Sequence, residues 1–367
     1  MLFDIAPKER REDLYDRENE LRSLMEALRL GERLVIVRGV RRIGKSSLVR
    51  VGVREAGIPY ALVDVRELYF EEGSVRLASL VARIVDAMRR RSKWYERLEF
   101  RLGDALGKVK GIHAAGFSLE LRPPAKPRLT EVLKALDEWC GEHGWRFALV
   151  FDEAQYLRFS NTRYDGVIAW AIDNLPNLTF IVTGSEVGVL REFLRLEDPR
   201  APLYGRHRRE IPLERFTTQQ SLGFLETGFR ELGVRVKRSE LEEAVEKLDG
   251  IVGWLTLYGY KRGVEGSPHR EALRRVFEEG SLMVLAELSK VIEGSPARYV
   301  AILKAVAQGI TRWREIKTYV ETRTNTWIPD NRFSQLLRNL VRYSYLEKQD
   351  NEYVIPDPMV RHAAKSL

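Results

Sequence analysis

Cysteine and long apolar runs are what this sequence has least of. One cysteine, Cys140, stands among 367 residues. No disulfide can therefore close within the chain, and a reducing compartment is expected. Cys140 lies among apolar helical positions, which reads as a buried packing thiol rather than a nucleophile. No apolar run approaches the roughly 20 residues of a membrane span. The opening MLFDIAPKERRED is too charged for a secretory leader. The expectation is a cytoplasmic protein with no membrane partner. No internal repeat or low-complexity stretch is present. Glutamine is scarce beside abundant charge, a balance also met in thermophilic proteins.

What is present is globular: 44% hydrophobic and 31% charged residues, enough chain for two or three domains. The net charge of +8 permits a nucleic-acid partner without establishing one.

The most informative stretch is LVIVRGVRRIGKSSL, residues 34–48. Leu34 to Val37 read as a short buried strand. Gly39, Val40, Arg41, Arg42, Ile43, Gly44, Lys45 and Ser46 fit G-x-x-x-x-G-K-[ST], and Ser47 and Leu48 begin a helix. Strand, glycine-bounded loop and helix together make a phosphate-binding loop. Backbone N–H groups must curl around a phosphate, so glycines bracket the loop, and the helix N-terminus adds donors and partial positive charge. Lys45 would reach the β- and γ-phosphates, and Ser46 would offer its hydroxyl to Mg²⁺.

A second strand, 60–65, ends near Asp64. Residues 107–128 read as a surface hairpin or extended insertion. Then Phe147–Phe151 run into Asp152 and Glu153, two carboxylates at the C-terminal end of a strand, where an open parallel sheet faces its ligand. Asp152 would bind Mg²⁺, and Glu153 would orient and deprotonate the attacking water. The strand from Leu178 ends at Thr183, Gly184 and Ser185. Thr183 or Ser185 would hydrogen-bond the γ-phosphate or the water, and Ser185 reads equally as a helix N-cap. Arg206, in the basic loop 204–209, is the candidate cation for the γ-phosphate, in its own chain or a neighbour's, with a solvated loop as the plainer reading. Asp16 and Arg17 stand at the start of the helix expected over 14–30, either packing near the base or simply starting a solvated helix.

Three domains are expected: a phosphate-loop core over 1–216, an all-helical domain over 217–293, and a winged helix over 294–367. The last carries 12 Lys and Arg against 7 Asp and Glu, with Arg332, Arg338 and Arg342 on its third helix.

With these residues the chain resembles the archaeal AAA+-like ATPases of the signal-transduction (STAND) class. The resemblance rests on Asp16-Arg17-Glu18, GVRRIGKSS at 39–47, FDEAQYL at 151–157, TGSEVGVL at 183–190, LYGR at 203–206 and DGIVGWL at 249–255. It implies an α/β P-loop NTPase core with a parallel sheet, then a helical lid and a winged helix. It implies ATP/ADP and Mg²⁺ as cofactors and Ser185 as a γ-phosphate sensor. Val252 stands where the class usually has proline in the lid turn. The expected function is a Mg²⁺-dependent ATPase acting as a nucleotide-driven switch. The alternative is a winged-helix DNA-binding protein with ancillary ATPase activity. A motor ring, with Arg206 or Arg209 acting in trans, is a third reading. The partners implied are ATP, further copies of the chain on ATP binding, and DNA or a protein met through the winged helix.

Overall fold

A strand that is apolar at every position must be covered on both faces. The largely apolar strands β1 (Leu34–Arg38), β2 (Tyr60–Asp64), β3 (Phe147–Asp152) and β4 (Leu178–Gly184) and the more polar edge strand β5 (Arg209–Pro212) pair in parallel in the order β2-β3-β4-β1-β5. The computed structural model describes residues 1–89, 129–292 and 294–366. The expected insertion at 107–128 and Glu293 at the expected domain boundary lie outside them.

Alternate strand residues serve opposite faces. Leu34, Ile36, Phe147, Leu149 and Phe151 pack with helices α4 (Leu77–Arg89), α5 (Leu129–His143) and α6 (Tyr164–Asn174). Val35, Val37, Ala148 and Val150 pack with α1 (Glu18–Leu30) and α2 (Lys45–Glu55). The first helix starts at Glu18 rather than at residue 14, because Asp16 takes a left-handed φ of 48°. Cys140 is buried, and burial pushes its thiol up to about 12. It is a packing group.

Register sets the functional edge. Asp64 lies opposite Asp152, and Arg38 opposite Gly184. The loops after β1, β3 and β4 therefore open at one end of the sheet, beside α3 (Val65–Glu72) and α7 (Val187–Leu194).

Beyond β5 the chain is helical: α8 (Thr218–Glu231), α9 (Arg238–Leu248), α10 (Val252–Gly259) and α11 (His269–Ile292). Thr217 and Gln220 close a capping box at the start of α8. The winged helix follows as α12 (Pro296–Ala307), α13 (Trp313–Thr324), α14 (Asp330–Arg342) and an antiparallel hairpin of β6 (Glu347–Gln349) and β7 (Glu352–Val354). A last helix, α15 (Pro358–Ser366), escaped the sequence reading. It folds back on α11, where Gly280 leaves room for Met359. One continuous apolar cluster joins the helical domain to the winged helix. Phe3, from the start of the chain, belongs to it. A β-carbon on either Gly228 or Gly259 would come within 2.3 Å of the Phe3 ring. Among the described residues no helix is long and apolar enough to cross a membrane.

Candidate functional site

The phosphate loop leaves β1 at Gly39 and enters α2 at Lys45, with Gly44 at φ 97°, a conformation that favours a residue without a β-carbon. The Lys45 ammonium donates to the carbonyls of Gly39 and Val40, both at 2.9 Å, which leaves one of its three donors free. Burial lowers its pKa, while the charges of Glu153 and Asp152 act to raise it.

Asp152 ends β3 and is buried. Its carboxylate accepts from the hydroxyls of Thr183 and Ser46. Burial and the neighbouring Glu153 charge raise its pKa, and these hydrogen bonds oppose the rise. Ser46 and Asp152 thus stand together as hard oxygen donors, the type that Mg²⁺ takes. Among the described residues no group of three or more His, Cys, Asp or Glu could hold a metal unaided. A cation here would need nucleotide oxygens to complete its shell.

Glu153 sits at φ 53°, a left-handed backbone costing about 1–3 kcal/mol for a residue of this kind. The turn aims its carboxylate across the cleft. Oε2 accepts from Gln155 Nε2 at 2.6 Å, Ser185 Oγ at 2.8 Å and Ser185 N at 3.1 Å. All three bonds end on one oxygen, so Oε1 is left for another donor. Burial would raise this carboxyl, but the charges of Lys45 and Arg66 and the hydrogen bonds bring it below the usual range. The carboxylate is thus held in place and favoured in its charged form. Ser185 thus meets Glu153, and Thr183 meets Asp152.

The two loop arginines have different partners. Arg41 pairs with Glu186 and with Glu287 of α11, each at 2.8 Å. It also donates to the Tyr343 carbonyl at 3.2 Å and faces the Tyr345 ring at 5.0 Å. One loop residue therefore touches the core, the helical domain and the winged helix. Arg42, at φ 62°, lies 4.4 Å over the Trp254 ring, and its carbonyl accepts from Gly253 N at 2.9 Å. The start of α10 rests directly on the phosphate loop. A β-carbon on Gly253 would stand 2.7 Å from Arg42 Cβ. Val252 lies beside Gly44, at the first position of α10.

A cavity of about 790 Å³ runs between these groups and the helical domain. Arg41 to Ser47 and Glu153 wall one side, and Val252, Leu257 and Tyr260 the other. Residues 4–8 and Tyr15 close the end away from Glu153, and Lys8 N donates to Ser47 Oγ at 3.0 Å. Arg17 borders the cavity, but its guanidinium is committed. It pairs with Glu20 at 3.0 Å, donates to the Glu214 carbonyl at 2.7 Å and covers Phe216 at 4.6 Å. It braces the junction between core and helical domain, and Asp16 does not line the cavity.

Arg206 requires a correction. It precedes β5, at the opposite end of the sheet from the phosphate loop, and makes a two-pronged ion pair with Asp173. Arg209 likewise pairs with Glu32. Neither meets the cleft of its own chain. Parallel register dictates this: a residue at the start of a strand lies a full strand length from the edge that carries Asp152. Sequence reading passed over Arg66, which lines the same cavity as Lys45. It belongs to no motif. Its only signal is its place two residues after a buried strand.

The arginines of α14 divide similarly. Arg342 pairs with Glu192, and its backbone packs so closely on α7 that a β-carbon on Gly188 would stand 2.9 Å from it. Arg332 and Arg338 are exposed.

Residues 14–257 match the model of an ATPase domain found predominantly in Archaea, and residues 295–355 match that of the C-terminal winged helix-turn-helix domain of MCM proteins. A Walker-type ATPase of Pyrococcus abyssi is 38% identical, with a TM-score of 0.84 over 100% of both chains. The ORC2 protein of Aeropyrum pernix, solved in ADPNP–ADP complexes, is 14% identical with a TM-score of 0.62, covering 100% of this chain and 96% of its own, a likeness of fold. No curated protein matches the chain.

Proposed function

The chain belongs to the family of ATPase domains found predominantly in Archaea, and from that premise we propose that it binds ATP with Mg²⁺ in the cleft under the helical domain, hydrolyses it, and serves as a nucleotide-driven conformational switch. The observation that carries the switch is Arg41, a phosphate-loop residue with partners in all three domains. A terminal phosphate beside the loop competes with Glu186 and Glu287 for this guanidinium, so ATP and ADP weight its contacts differently. A ligand shifts an equilibrium only through such a difference.

The chemistry follows from the placed groups. Ser46 and Asp152 would hold Mg²⁺, which when bound neutralises charge on the β- and γ-phosphates. The free donor of Lys45 points to the same phosphates. Glu153, anchored through Oε2, accepts a proton from the attacking water through Oε1. The water oxygen bonds to the γ-phosphorus as the bond to the bridging oxygen breaks, and ADP and phosphate leave. The signal-transduction class is the finer assignment this reading favours. It is supported by an ATPase core whose loop is tied to a C-terminal domain.

The experiment is energy transfer between dyes on the core and the winged helix, with ADP and then with ATP in Glu153→Gln. A change in transfer between the two nucleotides is expected, and identical transfer overturns the switch. Light scattering on the same samples reports whether ATP also drives assembly.

A second reading, DNA binding, is favoured by Arg332, Arg338 and Trp327, the last 74% exposed at the turn before α14. Affinity for duplex DNA would fall steeply as salt rises. Absent or salt-insensitive binding removes this reading and leaves the winged helix as a packing module.

A further inference from the structure

Transfer of a phosphoryl group needs cations where negative charge accumulates, and the oxygens of a terminal phosphate exceed what Lys45 alone can serve. Four arginines line the described cleft, and Arg158 lines the cavity adjoining it. Arg17 is committed to Glu20, the Glu214 carbonyl and the Phe216 ring. Arg158 donates to the Tyr343 hydroxyl at 3.0 Å and lies over the Phe159 ring. Arg41 is held by two carboxylates, a carbonyl and a ring. Arg42 is held over Trp254, with its Nη2 on Met283 Sδ at 3.1 Å. Arg66 has one ion pair, at 3.3 Å, with Asp64 two residues before it. Its other donors are uncommitted, and its side chain is 41% exposed.

Its position is equally distinct. Asp64 ends β2 opposite Asp152, and its carboxylate caps α3 by accepting from Arg66 N and Glu67 N. Arg66 therefore begins a helix just past the functional edge, on the side of β3 away from the phosphate loop. It borders the main cleft and also an adjoining cavity of about 420 Å³ that shares Glu153, Arg41 and Glu287 with it. Arg66, Lys45 and Glu153 therefore line one and the same cavity.

We propose that Arg66 is the cation that meets the terminal phosphate of ATP within its own chain, the role that the sequence offered to Arg206. The inference rests on the ATPase reading and adds to it, beside Arg41, a second residue that distinguishes ATP from ADP. A diphosphate lacks the terminal group that Arg66 would meet.

The test is the affinity of the full chain for ATP and for ADP, by calorimetry, in the Glu153→Gln background. Adding Arg66→Ala weakens ATP by about tenfold or more, as loss of a charge-assisted bond should, and leaves ADP within about twofold. Arg66→Lys restores part of the ATP affinity. Asp64→Asn keeps the helix cap, removes the ion pair and leaves the ratio of ATP to ADP affinity unchanged. Equal weakening of both nucleotides, no weakening of either, or an Asp64→Asn that copies Arg66→Ala overturns the proposal while the ATPase reading stands. Failure of the parent protein to bind either nucleotide overturns both.

Discussion

The two ends of the parallel sheet carry the same residue types to opposite effect. At the end where the strands begin, Arg206 with Asp173 and Arg209 with Glu32 form ion pairs with partly exposed arginines. At the end where the strands finish, Arg41, Arg42, Lys45 and Arg66 share two adjoining cavities with Glu153, Glu186 and Glu287, and Asp152 is buried beside Glu153. Solvent screens the first set, whose members are worth about 1 kcal/mol or less each. In the second set Lys45, Asp152, Glu153 and Glu186 are buried, so a missing partner there is costly and each of these charges acts on its neighbours. Composition does not separate the two sets. Direction along the strand does.

The sharpest break in that contrast is Glu153→Gln. Removing the base should lower the single-turnover rate of phosphate release by about 10²- to 10⁴-fold, with ATP still bound. A smaller loss would mean that Oε1 is not the proton acceptor. Next is Arg41→Ala, which leaves the buried Glu186 without its cation. A loss of about 3 kcal/mol in denaturant unfolding is expected, with weaker docking of the winged helix. Third, Gly253→Ala forces a β-carbon against Arg42 and should cost about 1–3 kcal/mol, raising the KM for ATP more than it lowers kcat.

At the other end of the sheet, Arg206→Ala should cost about 1 kcal/mol or less and leave kcat unchanged. A drop in kcat that deepens as protein concentration rises would instead place Arg206 in a neighbouring subunit's cleft. Smallest is Glu243→Gln in the helical domain. The Glu243 carboxyl is held down at about 2 by hydrogen bonds from Lys247 and His269. A lowered carboxyl stabilises the fold above its ordinary value near 4.5 and loses that effect as pH falls toward about 2. Wild type and variant should therefore converge in thermal melts below pH 4.5, and a gap that persists at pH 2 would mean that the charge is not its source.

What could be read in advance follows from distance along the chain. The phosphate loop, with its flanking strand and helix, is contiguous, and its chemistry demands glycine, lysine and serine at fixed spacing. Asp152 and Glu153 could be singled out because a strand that ends in two carboxylates, common by itself, follows a complete phosphate loop in the same chain. The strands of the core were legible too, since two-sided burial leaves an unbroken apolar run. The partners of Arg41 were not, because Glu186, Glu287, Tyr343 and Tyr345 come from distant segments and share no pattern with the loop. Arg66 was hidden because one arginine after a strand is ordinary until register sets it beside Asp152. The last helix was missed because it is short, starts at Pro358 and owes its place to Gly280 on another helix. Phe3 was missed for the same reason, since its pocket is two glycine notches far down the chain.

Phe3 has a mechanical consequence. The chain begins in the helical domain, crosses to the core by Glu18, and returns to the helical domain between Leu213 and Thr218. Two separate crossings join the same pair of bodies, like the two pins of a door hinge. A single tether would let the helical domain swivel freely over the nucleotide cleft. Two tethers restrict any rotation of the helical domain over the cleft towards the one axis that joins them, and Val252 and Gly253, which rest on the phosphate loop, lie within the region that such a rotation would move.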